Sequence, residues 1–135
     1  MSEYQQTTKA QFDAQQQTYG YLTYILASYD KVMSNQYYWL ATASMLEKQQ
    51  DQSPISQILR MIVNYKLENI QIAFDLFRTI IEMPNGTQVL WKHARVISKF
   101  IDLEKLKLYY SNDDKMSLVL VEIFKDFIIR PMDEH

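Results

Sequence analysis

Apolar residues recur at helical spacing along most of the chain. In the first stretch Phe12, Tyr19, Leu22, Leu26, Tyr29 and Met33 follow one another at seven, three, four, three and four residues, the signature of one face of an α-helix. Ser2 and Gln5 have the reciprocal spacing of a capping box, so this helix is expected to begin at Glu3 and to run to about Met33, where Ser34 and Asn35 interrupt it. Six Gln fall between Gln5 and Gln17, and Phe12 is the one large apolar side chain among them. Residues 1–17 therefore form a polar, Gln-rich start with little to bury, expected to fray or to be ordered by a partner.

A second helix is expected over residues 36–50, carrying Tyr37, Tyr38, Leu40, Ala41, Met45 and Leu46. Ser53 and Pro54 then form a strong start signal: Ser is a preferred cap, and Pro at the first helical position loses only an N–H that would be unpaired anyway. From there Ile55, Leu59, Ile62, Ile70, Phe74, Phe77 and Ile81 keep one face apolar, which predicts a single third helix up to the stop at Pro84, Asn85 and Gly86. Thr87 can cap a fourth helix with Leu90, His93, Val96, Ile97, Phe100, Ile101 and Leu103 on its face, ending near Tyr110, with Asp102 a place where it can break. After the polar run Ser111 to Asp114, whose aspartates can cap, a last helix is expected over residues 116–129, ended by Pro131. An alternative pairs the alternating runs within 106–121 as a β-hairpin, giving an α+β fold.

These elements define one all-α domain over residues 1–135, an elongated bundle of four to five helices. At about 1.5 Å per residue the first and third helices would each exceed ~40 Å, whereas a compact globule of this length has a radius of gyration of about 14 Å. Two long helices against shorter ones leave one end of the bundle uncovered, and a second copy of the chain is the simplest cover, so a homodimer is expected.

Composition narrows the chemistry. Two Gly and three Pro in 135 residues leave too few turns for a sandwich or barrel, and the absence of Cys excludes disulfides, thiolate nucleophiles and cysteine-held metals. Gly20 and Gly86 are too far apart for a phosphate-binding loop, and His93 and His135 are too far apart for a helical metal pair. No cofactor or metal is expected. The amino terminus shows no basic patch followed by an apolar run, and no stretch is long and apolar enough to cross a bilayer, so a cytoplasmic protein without membrane contact is expected. The formal net charge of −2 provides no overall field to draw the chain to nucleic acid.

Two side-chain groups remain. Tyr21, Tyr24, Tyr37, Tyr38 and Trp39 supply more rings than one core face needs, and Tyr and Trp are the usual anchors of protein interfaces. Lys92, Arg95 and Lys99 follow at three and four residues, which would put them on one helix face able to track a phosphate backbone; a solvated face explains the same spacing. His93 reads as a hydrogen-bonded core histidine, and carboxylates such as Glu68 and Asp75 lack an acid, nucleophile or His companion. The expected function is thus a non-catalytic helical interaction module, regulatory, inhibitory or assembling in role, that binds another protein or itself. The alternative is a nucleic-acid-associated regulator using Lys92, Arg95 and Lys99.

Overall fold

The computed structural model describes Gln16, Gly20 and residues 35–48 and 52–128, and the expected first helix lies outside them except for those two positions. Among the described residues the fold is all-α, with seven helices and no strand. They are α1 (Gln36–Lys48), α2 (Pro54–Lys66), α3 (Ile70–Glu82), α4 (Gly86–Lys92), α5 (Ala94–Phe100), α6 (Leu103–Tyr109) and α7 (Asp114–Phe124). The hairpin alternative is replaced by α6 and α7, because Asp113 accepts a hydrogen bond from the Met116 amide at 3.0 Å and starts a helix where that hairpin would turn.

Polar side chains cap several of the helix starts. Ser53 caps α2 by accepting from the Ser56 amide, with Pro54 in the first turn. Asp102 caps α6 by accepting from the amides of Glu104 and Lys105. Asn35 Oδ1 accepts from the Tyr38 amide at the start of α1. Thr87 is not a cap: α4 begins one residue earlier, after Asn85 in the left-handed region at φ 61°. Gly86 is required at that point, since a Cβ there would stand 1.6 Å from the Ile80 carbonyl oxygen.

The main departure is in helix length. The single third helix expected from residue 54 to 81 is two helices of 13 residues, each about 20 Å long at 1.5 Å per residue. Its break at Leu67, Glu68 and Asn69 is a Schellman motif: the Asn69 amide donates to the Asn64 carbonyl at 2.8 Å and the Glu68 amide to the Tyr65 carbonyl at 3.1 Å. Glu68 occupies the left-handed position at φ 68°, where glycine is usual. Asn69 Nδ2 also donates to Asn64 Oδ1, a polar clasp across the turn in place of the hydrophobic contact that commonly accompanies it. The fourth helix is likewise divided, at His93 and at Ile101–Asp102, into α4, α5 and α6. A bundle with two long helices is therefore not what the described residues form, and the length argument for a dimer fails for residues 54–82.

The core is centred on α2, which packs against α1, α3, α4 and α5. Ile58, Leu59, Met61 and Ile62 of α2 are fully buried, joined by Phe77 and Ile80 of α3, Leu90 of α4 and Ile97 of α5. Phe124 and Leu120 close the cluster from α7. At about 1.5–3 kcal/mol per fully buried large apolar side chain, this one contiguous core is what opposes chain entropy, in a protein without disulfides.

Candidate interaction surface

Helix α1 is apolar on two sides. Trp39, Thr42 and Leu46 face inward and are buried. Trp39 is 2 % exposed and its ring lies edge-on to those of Tyr38 and Phe100, at centroid separations of 5.1 and 5.8 Å. Thr42 tolerates burial because its hydroxyl donates to the Tyr38 carbonyl at 2.9 Å. On the opposite side Tyr37, Leu40, Ala41, Ser44 and Met45 stand at the i, i+3, i+4, i+7, i+8 positions of one face, and all five are exposed. Tyr37 is 85 % exposed, Leu40 49 % and Met45 38 %. A helix of a small globule normally turns polar residues to solvent, so this second stripe has no role in the core that the described residues form.

Of the five aromatic candidates, the structure thus presents Tyr37 on the outer face, leaves Tyr38 half-buried and commits Trp39 to the core. Trp39 is corrected from surface anchor to core residue, since the inward register of α1 runs 39, 42, 46. Tyr21 and Tyr24 lie outside the described residues. Leu40 and Met45, read from the sequence as helix-forming apolar positions, are the partners of Tyr37 on the outward face. The sequence carries no clear signal separating the two faces, because the buried register includes Thr42, whose polar side chain would be expected outside.

The basic segment is exposed but is not one helix face. Lys92 ends α4 and Arg95 and Lys99 belong to α5, with His93 at the turn between them. His93 Nδ1 lies 2.9 Å from the Val89 carbonyl oxygen; a carbonyl only accepts, so this nitrogen carries the proton and the half-buried ring is held by its own helix. Trp91, which precedes Lys92 in α4, is 61 % exposed. Lys66 reaches across to aromatic surface: its Nζ is 5.7 Å from the Phe100 ring centroid, and burial lowers its pKa.

A polar cluster that the sequence does not announce ties α3 to the α6–α7 turn. Tyr109 donates to Asp75 at 2.6 Å, Arg78 pairs with Asp113 at 3.0 Å, and the Arg78 guanidinium sits 5.3 Å over the Tyr110 ring. Tyr110 in turn donates to the Phe74 carbonyl. The hydrogen bond to the Asp75 carboxylate, with burial second, pushes the Tyr109 hydroxyl up to about 12. Burial raises the Tyr110 pKa, against the opposing effect of Arg78. Each member has a partner that explains it as a tether, and Asp75 is occupied by Tyr109 rather than open to a substrate.

Among the described residues no group of three or more His, Asp or Glu side chains is placed to hold a metal ion, and no helix is long and apolar enough to cross a membrane. No family model, curated protein or solved structure matches this chain. The functional reading therefore rests on its own residues.

Proposed function

We propose that this chain is a non-catalytic helical interaction module that acts in the cytoplasm and associates with a second copy of itself through the outer face of α1. The observation that carries the reading is the stripe of Tyr37, Leu40, Ala41, Ser44 and Met45, apolar or small at every position and exposed throughout. Ala41 at its middle lets a second helix approach closely, while Tyr37 and Met45 at its ends supply area. A two-fold axis at Ala41 in an antiparallel pair of α1 helices sets Tyr37 of one copy opposite Met45 of the other, so the face is self-complementary, as an isologous contact requires. Sulfur against a ring edge adds about 0.3–1.5 kcal/mol to such a pair.

The test is mass by light scattering for the unaltered chain and for Tyr37→Glu/Leu40→Glu. The double variant changes only exposed positions, so its far-ultraviolet circular dichroism should match the unaltered chain. In samples never warmed, a rapidly exchanging dimer lost in the variant supports the reading; a monomer in both, or a rapidly exchanging dimer equal in both, removes α1 from the contact.

A second reading, a nucleic-acid-associated regulator, is favoured by one observation: the exposed Trp91 in the same short segment as the exposed Lys92 and Arg95, a supply of stacking surface and phosphate partners of the kind single-stranded nucleic acid uses. It predicts binding that weakens steeply with salt and is lost in Lys92→Glu/Arg95→Glu/Lys99→Glu. Binding that survives both removes it.

A further inference from the structure

We infer that the α2–α3 hairpin is a hinge that opens into one continuous helix over residues 54–82, through which two copies of this chain exchange their α1–α2 halves. The proposal does not depend on the outer face of α1.

Three observations carry it. First, the turn is only Leu67, Glu68 and Asn69, and it holds a non-glycine residue at φ 68°. Short strained hinge loops favour exchange, because opening releases the strain in both copies. Second, no Gly or Pro lies between Pro54 and Pro84, so nothing in the covalent chain prevents residues 67–69 from taking right-handed helical angles.

Third, the two helices are in phase across the break. Leu59 and Phe77 are 18 residues apart, as are Ile62 and Ile80, and 18 residues make five whole turns at 3.6 per turn. All four are fully buried in the closed hairpin. In the open helix they would lie on one side. An antiparallel partner helix can then meet that side along its whole length, α2 of one copy on α3 of the other and the reverse. A turn designed only to close has no need of this register.

The exchanged contacts are substantial. Helix α2 packs more extensively on α3 than any other pair packs together, and it also touches α4 and α5, while α1 packs on α2 and would travel with it. In the exchanged dimer the contacts of α2 with α3, α4 and α5 are re-formed with the partner, while the α1–α2 contact stays within each copy. Only the turn differs: the left-handed Glu68 and the Asn64–Asn69 clasp are given up, and two right-handed turns are gained.

Glu68→Gly removes the strain from the closed form and weakens the open helix. Strain of the left-handed size favours opening by about five- to thirty-fold per hinge, and a dimer opens two, so the association constant should fall by at least about 25-fold. Asn69→Ala acts the other way, deleting the clasp and improving the helix. The experiment holds the full chain at high concentration, warms it briefly, and separates species by size-exclusion chromatography with light scattering. The expected result is a slowly exchanging dimer that increases in Asn69→Ala, nearly disappears in Glu68→Gly, and persists in Tyr37→Glu/Leu40→Glu. A dimer fraction equal in Glu68→Gly and Asn69→Ala overturns the proposal, as does Asn69→Ala remaining wholly monomeric. Loss of dimer in the α1 variant alone, with the hinge variants alike, leaves only the α1 contact standing.

Discussion

The break at Glu68 makes a prediction whose sign, not only its size, can refute the structure. In the closed hairpin Glu68 is exposed and left-handed, a conformation that costs a non-glycine residue about 1–2 kcal/mol. Glycine removes that cost but loses about 0.5–1 kcal/mol more conformational entropy on folding, so Glu68→Gly should stabilise the monomer by about 0.5–1 kcal/mol. For a chain of this length that is a rise in Tm of about 2–4 °C. If residues 54–82 instead formed the single helix that their periodicity predicts, the same substitution would put glycine at a helix interior and destabilise by about 1 kcal/mol. Urea titration followed by circular dichroism, with a thermal melt alongside, reads the difference directly. Glu68→Ala serves as the control: alanine pays the same left-handed cost, so removing the carboxylate alone should leave stability within about 0.5 kcal/mol. A lower midpoint for Glu68→Gly would refute the Schellman turn and everything argued from it.

Gly86→Ala should destabilise by about 3 kcal/mol or more, because the added carbon meets the Ile80 backbone oxygen rather than a movable side chain; an unchanged urea midpoint would contradict that approach. Trp39→Ala should destabilise by about 3–5 kcal/mol as a core truncation, measured in the same way, whereas Tyr37→Ala on the opposite side should cost less than about 0.5 kcal/mol. Raising pH should weaken the fold through Tyr109. Its pKa rises from 10.0 to about 12 on folding, so its contribution is complete below pH 10 and is lost as pH climbs towards 12. With the residue 42 % exposed, solvent screening reduces that contribution to about 0.5–1 kcal/mol, and stability of Tyr109→Phe should fall less over this interval than that of the unaltered chain.

What could be read beforehand was what side chains say locally. Ser53 with Pro54 and Asp113 each announce a helix start by their own chemistry and cap as expected, while Asp102, expected only as a possible break, caps the helix that follows it. The breaks at Glu68 and His93 carry no such notice. Glutamate is a good helix former, and the apolar period runs straight across it, so only tertiary packing of α2 on α3 reveals that the chain turns there. On α1 the reading failed differently. The abundance of rings pointed to a surface cluster, but helical geometry distributes Tyr37, Tyr38 and Trp39 over three directions, and only the first faces out. The Asp75, Arg78, Tyr109 and Asp113 tether was invisible because its members are more than thirty residues apart in sequence.

The outer face of α1 belongs to the half of the chain that opening at the hinge would carry across, and this decides how they act together. Because α1 packs on α2, opening at residues 67–69 carries α1 across with its inward residues Trp39, Thr42 and Leu46 still buried and its outward stripe still outward. Exchange therefore neither creates nor covers the Tyr37, Leu40 and Met45 face. It doubles it: an exchanged dimer displays two such faces held at a fixed separation. Binding through them becomes bivalent, with the second contact made at the effective concentration set by the rigid dimer instead of by bulk protein. The closed monomer offers one face and forms at most a weak pair, since one helix stripe is smaller than the roughly 800 Å² per partner of a standard interface. Variants at Glu68 should thus change how tightly the α1 face holds its partner without touching that face.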